Sequence, residues 1–293
     1  MKRTAFVFTL LLCGAGVSVA DNHQGSSFKS SAINDSLTLL QGRGGNIVAS
    51  SGVDGLLIID NDYADMAPAL KEAIAKIGDA SSLKYMLNTH WHGDHTGGNS
   101  ALGEDVDIVA HDSVYQRLST RQEIPAFNLV SEAYPVHAQP NITFSDSMTL
   151  RFNDEELVLK HYPNGHTDGD VVVRFSKANV IHMGDHMFYP MFPFVDISSG
   201  GNVLSYAKNV VAILENIDSN TVVVPGHGPL TDKQGLVDFS NMLNGTIAEV
   251  KVMKESGLSL SEAQAKGLTK QWEKWNGGFI KQPVWISFIY GRM

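Results

Sequence analysis

Cysteine is almost absent: the 293 residues hold one, Cys13, so no intrachain disulfide can form. A chain this long buries a sizeable core without such staples, so the lack excludes only the small disulfide-dense scaffolds. Basic residues are also scarce, 22 Lys and Arg against 31 Asp and Glu, for a formal charge of −9. That balance lacks the basic footprint of nucleic-acid binders, and no nucleic-acid partner is expected. Long apolar runs are missing too. The longest, Ala5 to Val19, is too short and wrongly flanked for a membrane span. No repeat and no low-complexity tract is present.

Ala5 to Val19 does fit the core of a secretory signal peptide. It follows the positive start Met1-Lys2-Arg3-Thr4 and ends in the small residues Ser18-Val19-Ala20. Residues 1–20 are therefore expected to be removed near Ala20, which places the chain in the periplasm or outside the cell. Leu12 stands where a lipoprotein signal wants a small residue before Cys13, so no stable membrane anchor is expected. Cleavage would remove Lys2 and Arg3 and no acid, moving the formal charge from −9 to −11. Residues 21–35 are polar and serine-rich and read as a flexible lead-in.

From residue 36 short apolar strand-like runs alternate with helical periodicity, which implies an α/β layered domain. In Asn202 to Asn216 the residues Val203, Tyr206, Ala207, Val210, Val211 and Leu214 recur at helical spacing. Thr231 with Gln234, and Ser259 with Glu262, each read as a capping box. Residues 228–293 read as a helical tail whose packing face is Leu260, Ala263, Leu268, Trp272 and Trp275.

The densest chemistry is His90-Trp91-His92-Gly93-Asp94-His95, just after the strand-like run Tyr85 to Leu87. Three imidazoles and a carboxylate at one turn repel and desolvate one another unless a cation sits among them. Neutral imidazole suits zinc, and a carboxylate adds a harder anionic donor. Three more donors have the same setting. His166 lies between the runs Leu157 to Tyr162 and Val171 to Phe175, Asp185 ends Asn179 to Gly184, and His227 follows Thr221 to Gly226. Each comes at the end of an apolar strand beside glycine, where a sheet delivers side chains to an edge.

These motifs, with Asp60 closing the strand Leu56 to Ile59, resemble the metallo-β-lactamase-fold superfamily over about residues 36–230. The resemblance implies a four-layer αββα sandwich, with the helical tail as an extension of a domain running from 36 to 293. It implies two Zn2+ ions, iron or manganese also being acceptable to such ligands. His90, His92 and His166 would hold the first; Asp94, His95 and His227 the second; Asp185 would bridge them together with a hydroxide. Asp60 would brace the metal loops. The expected function is zinc-dependent hydrolysis of a carbonyl-centred bond (lactam, lactone or ester) in a small molecule, with Asp94 ligating and orienting the hydroxide.

Two departures bear on substrate. The best-known zinc β-lactamases carry cysteine or serine where this chain has Asp185, and many use a lysine near the place of Phe188. Asp185 resembles instead the bridging aspartate of glyoxalase II and the lactonases, yet the glutathione-binding basic motifs of glyoxalase II are not recognisable here. β-Lactam hydrolysis is thus expected as a weak activity. The alternatives are a glyoxalase II-like thioesterase, a mononuclear iron persulfide dioxygenase and a non-catalytic metal-binding module.

The apolar, proline-broken segment Met187 to Phe194 follows Asp185 and is expected to border the cleft. Trp91, His186, Phe188, Tyr189 and Phe192 are the substrate-pocket candidates. Residues 119–141, with Arg121, Phe127 and Tyr134, offer a second rim. Among the other histidines, His182 reads as packed or superficial, and His111, His137 and His161 as surface or strand-end residues. Arg117, Arg121 and Arg151 read as solvated. The oligomeric state is left open.

Overall fold

The structure, a computed structural model, describes residues 27–292; the expected signal peptide falls outside them. Chain order begins with β1 (Lys29–Ala32), β2 (Leu37–Gln41), β3 (Ile47–Gly52), β4 (Gly55–Ile59), α1 (Ala67–Ile74) and β5 (Leu83–Leu87). It continues with α2 (Gly93–Thr96), α3 (Asn99–Leu102), β6 (Asp107–His111), α4 (Asp112–Leu118), β7 (Gln122–Ile124), β8 (Leu129–Ser131) and β9 (Ile142–Phe144). β1 pairs antiparallel with β2, so residues 29–32 of the expected lead-in are strand.

Seven strands form the first sheet in the order β1-β2-β3-β4-β5-β6-β9, parallel from β4 to β9. The hairpin β7–β8 stands apart from it. The second sheet holds β10 (Ser147–Phe152), β11 (Glu155–His161), β12 (Val171–Phe175), β13 (Val180–His182) and β14 (Val222–Val224) in sequence order. Its last pair is parallel and the others antiparallel. The helices α5 (Val203–Leu214), α6 (Lys233–Glu255), α7 (Leu260–Lys266) and α8 (Gln282–Tyr290) complete the chain.

Side-chain alternation along the strands builds the layers. Leu57 and Ile59 of β4 face inward, packing with Leu157, Leu159, Val171 and Val173 of the second sheet. Leu56 and Ile58 face outward, onto Leu70 and Ile74 of α1. The outer face of the second sheet is covered by α5, α6 and α8 through Tyr206, Val210, Phe239, Met242 and Trp285. The result is the expected α/β, four-layer αββα sandwich with a helical extension. α5 starts at the N-cap Asn202, and Ser259 with Glu262 forms a true capping box. At α6 the cap is Asp232, which accepts from the Gly235 amide; Thr231 instead pairs with Val223. Ala263, Leu268 and Trp275 of the tail are buried, whereas Leu260 is exposed. Among the described residues no helix is long and apolar enough to cross a membrane.

Candidate metal centre

Parallel strands end on one edge, and ligands gather there. Asp60 follows β4, residues 90–95 follow β5 and run into α2, His166 lies between β11 and β12, Asp185 follows β13 and His227 follows β14. All seven expected donors meet at this edge, in two groups: His90, His92, His166 and Asp185, and Asp94, His95 and His227. Within each group the donor atoms lie within 4.8 Å of one another. Each group draws donors from both sheets.

The geometry fits cations. His92 Nδ1 approaches His90 Nε2 at 3.1 Å and His166 Nε2 at 2.9 Å. Asp185 Oδ2 faces that triad, 3.7 Å from His90 Nε2 and 3.3 Å from His166 Nε2. Its Oδ1 faces the other, 3.1 Å from His95 Nε2 and 3.4 Å from His227 Nε2. Asp94 Oδ2 closes the second group, 3.3 Å from His227 Nε2. A tetrahedral ion with bonds of about 2.1 Å has donor–donor edges of about 3.4 Å, close to these separations. Asp185 Oδ1 is buried without a hydrogen-bond partner of good geometry, an orphan that a cation would satisfy.

The two groups differ electrostatically. Burial drives His90 well below the ordinary imidazole range and His166 down to about 4, so both are neutral near pH 7. Burial also opposes charge on His95 and His227, but Asp185 and the other carboxylates outweigh it. His227 rises to about 9 and His95 well above its usual value. Burial disfavours the Asp94 carboxylate, yet His95 and His227 bring it down to about 2. Asp185 is likewise buried and held well below the carboxylate range by surrounding imidazoles.

The imidazoles are held from behind. His95 Nδ1 lies 2.7 Å from Asp60 Oδ2, and Asp60, at φ 63°, also accepts from the Thr89 amide and hydroxyl. His166 Nδ1 donates to the Phe194 carbonyl at 2.9 Å. His92 Nε2 lies 3.0 Å from Asp196 Oδ2, whose carboxylate also accepts from Ser198 and Ser199. Asp170 accepts the one Thr167 amide N–H on both its oxygens and pins the turn carrying His166; burial raises its carboxyl to about 7. Asp196 and Asp170 were not singled out from the sequence. Asp196 sits 104 residues from its histidine, and the Asp-x-Ser-Ser string around it is a local clue only. Glycine gives the donors room: a Cβ on Gly45 would stand 2.2 Å from His95 Cε1, and one on Gly226 2.2 Å from Asp185 Oδ1.

A cleft of about 570 Å³ opens onto Asp94, Asp185 and His227. Trp91 and Phe188 line it as expected, Phe188 in the parallel-stacked position 4.9 Å from His227. Three other pocket candidates do not line it. His186 is buried behind the ligands, stacked on Tyr206 and hydrogen-bonded to Asn209. Tyr189 packs edge-on against Trp275, and Phe192 is fully buried against Trp285. The chain weaves here, so neighbours point to opposite sides. Of the second rim, Phe127 borders the cleft together with Ile124, Leu129 and Val130, whereas Arg121 pairs with Glu123 and the Tyr134 hydroxyl lies 3.1 Å from that of Thr96. Phe194, the end of the segment expected at the cleft, also lines it, whereas the sequence reading missed Arg43, Tyr63 and Phe279.

The remaining histidines among the described residues stand away from the donors. His182 is packed, 3.0 Å from the Asn46 carbonyl; His111 caps α4 and stacks on His161 at 3.7 Å; His137 is exposed beside the Ser100 carbonyl. Arg117 departs from its solvated reading. It makes a two-pronged pair with Asp168 at 2.8 and 2.7 Å and bonds Gln122, tying α4 to the His166 turn and the hairpin.

Comparison with known proteins places this geometry. A hydroxyacylglutathione hydrolase of Gloeobacter violaceus is 30% identical over 127 residues, 43% of this chain and 42% of that protein. The chain spans 66%, 48% and 42% of the length of the first three curated relatives it matches. Among solved structures, the inverting sec-alkylsulfatase Pisa1 from Pseudomonas superposes with a TM-score of 0.69 at 16% identity, over 90% of this chain and 50% of that one. A metallo-β-lactamase from Pontibacter korlensis gives 0.60 at 19% identity, over 74% of this chain and 99% of that one. The profile of the metallo-β-lactamase superfamily matches residues 50–238, more than half of the chain. With seven His and Asp donors gathered at one sheet edge, the chain belongs to the metallo-β-lactamase superfamily.

Proposed function

We propose that the chain is a zinc-dependent hydrolase that cleaves a carbonyl-centred bond (ester, lactone or lactam) in a small molecule. One observation carries the reading: two donor triads face the two oxygens of a single carboxylate, Asp185. Two cations held there would polarise the carbonyl and lower the pKa of a shared water from near 16 toward ~7. The donor set, five imidazoles with carboxylates and no thiolate, suits zinc, with iron and manganese as competitors.

The chain's own residues do the rest. Asp94 reaches the cleft with its side chain 20% exposed, where its carboxylate accepts a hydrogen bond from water and orients it. Asp60 and Asp196 fix the ring orientations of His95 and His92. Trp91 and Phe188 wall the cleft and limit bulk water beside the donors. The Gloeobacter relative's name puts thioesters on the substrate panel, and the Pseudomonas neighbour's name puts alkyl sulfates there. We also propose a periplasmic or secreted location, from the signal-like residues 1–20.

The test is metal removal. Chelator-treated protein is expected to lose ester and lactone hydrolysis and to regain it with zinc, and Asp94→Ala and His166→Ala to stay inactive. Full turnover by metal-stripped protein ends the reading. One iron per chain with oxygen uptake would instead support a dioxygenase.

A further inference from the structure

Thirteen large apolar side chains are exposed among the described residues, and five of them, Tyr63, Phe127, Leu129, Val130 and Phe279, border the one cleft beside the donors. Exposed apolar groups scattered singly mean little, but a contiguous patch at a polar centre marks a binding surface. Separate stretches of chain supply it. Phe127, Leu129 and Val130 come from the β7–β8 hairpin, and Phe279 comes from the turn before α8.

The patch runs without a break into the donor cluster. Phe127 lies 4.7 Å from Phe194 and 6.1 Å from Phe279, ring centre to ring centre. Phe279 is 6.2 Å from Phe188, which stacks on His227. Phe194 is 5.9 Å from His92 and 5.7 Å from His166. A group bound at Phe127 and Phe279 is therefore one aromatic ring away from the reacting atoms. At about 570 Å³ the space falls within the range of pockets for small organic ligands, ~300–1,000 Å³.

Charge points the same way. Arg43 is the one Lys or Arg lining this cleft, and it is paired with Asp65 and lies 4.8 Å over the Tyr63 ring. The other charged side chains there, apart from the histidines, are Asp94 and Asp185. The walls thus offer an anionic substituent no unengaged basic side chain, whereas hydrocarbon would be desolvated at a gain.

We propose that Phe127, Leu129, Val130 and Phe279 seat an uncharged hydrocarbon chain flanking the scissile bond, so that the substrates are neutral long-chain esters or alkyl-bearing lactones. This rests on the hydrolase reading for its chemistry, but the seat itself is testable without turnover. Straight-chain alcohols from butanol to decanol are titrated calorimetrically into zinc-loaded protein. Kd is expected to fall about two- to fourfold per methylene, the burial of one such group contributing ~0.8 kcal/mol at most. Phe127→Ala and Phe279→Ala remove partly exposed rings and are expected to flatten that slope while circular dichroism stays unchanged.

In parallel, kcat/KM for p-nitrophenyl esters from acetate to decanoate is expected to rise with the same slope. A flat alcohol series overturns the inference, even if short esters are hydrolysed. A steep alcohol series without turnover of any ester, lactone or lactam supports the seat and removes the hydrolase reading. A kcat/KM for an anionic cephalosporin more than tenfold above that for the decanoate ester overturns the inference.

Discussion

Asp196 and Asp60 each hold one imidazole from behind, but for different triads, so removing either should weaken a different metal-binding step. Asp196→Asn is the sharper perturbation. The native carboxylate takes His92 Nε2 at 3.0 Å and the Ser199 hydroxyl at 2.6 Å on one oxygen, and the Ser198 amide at 3.1 Å on the other. An amide can keep one of these faces as an acceptor. Its NH2 must then point at the His92 N–H or at the serine donors, leaving a buried donor without a partner. Such losses behind a metal-bound histidine typically cost 10- to 100-fold in affinity, or about 1.4–2.7 kcal/mol. Competitive titration of metal-free protein against a chromogenic zinc chelator resolves the two steps. Asp196→Asn is expected to weaken the step assigned to His90, His92 and His166, and Asp60→Asn the step assigned to Asp94, His95 and His227. Asparagine tolerates the left-handed backbone of position 60, so that comparison is free of added strain. Both steps unchanged within twofold, or both variants weakening the same step, would refute the reasoning.

The two steps should also differ in pH dependence. Metal competes with protons for imidazole nitrogen, so a histidine whose pKa is raised binds metal more tightly as pH increases. With His227 at about 9 and His95 raised in the same direction, metal must displace protons from the second triad, whose affinity should rise about tenfold or more per unit from pH 6.5 to 8.5. His90 and His166 are already neutral there and add no such slope to the first step; equal slopes for both steps would contradict this. Gly226→Ala should drive Asp185 aside, since the new Cβ would stand 2.2 Å from Oδ1, and lower kcat/KM by about 100-fold with the far-ultraviolet spectrum unchanged. Activity within threefold of the parent would show that the bridge position tolerates displacement. Expressed in a secreting bacterial host, the chain should begin near Asp21 by N-terminal sequencing; an intact Met1 would remove the proposed location.

The donor set was legible because the chain writes it in clusters and at strand ends. Four donors fall within six residues, and His166, Asp185 and His227 each close an apolar run beside glycine, so strand ends alone predicted convergence. The supports were not legible in the same way. Asp196 reaches His92 across 104 residues from a segment with no period of its own. The cleft walls were half legible. Met187 to Phe194 was placed beside the donors correctly, but an irregular, proline-broken run has no alternation from which to tell Phe188, in the cleft, from Phe192, in the core. Phe279 was hidden for a third reason. The tail was read only as a helical extension with a packing face, and its return to the cleft mouth is a tertiary event that local spacing does not encode.

The sheets meet through an oily seam, and no sulfur bridge crosses it; Cys13 is alone in the chain. Because both triads take donors from each side of that seam, loaded ions would act as rivets through the sandwich as well as reagents. Neither half, severed near residue 145, would own a complete grip on an ion. Metal starvation would then be a mechanical injury, slackening the joint between halves at the same moment that it silences the chemistry.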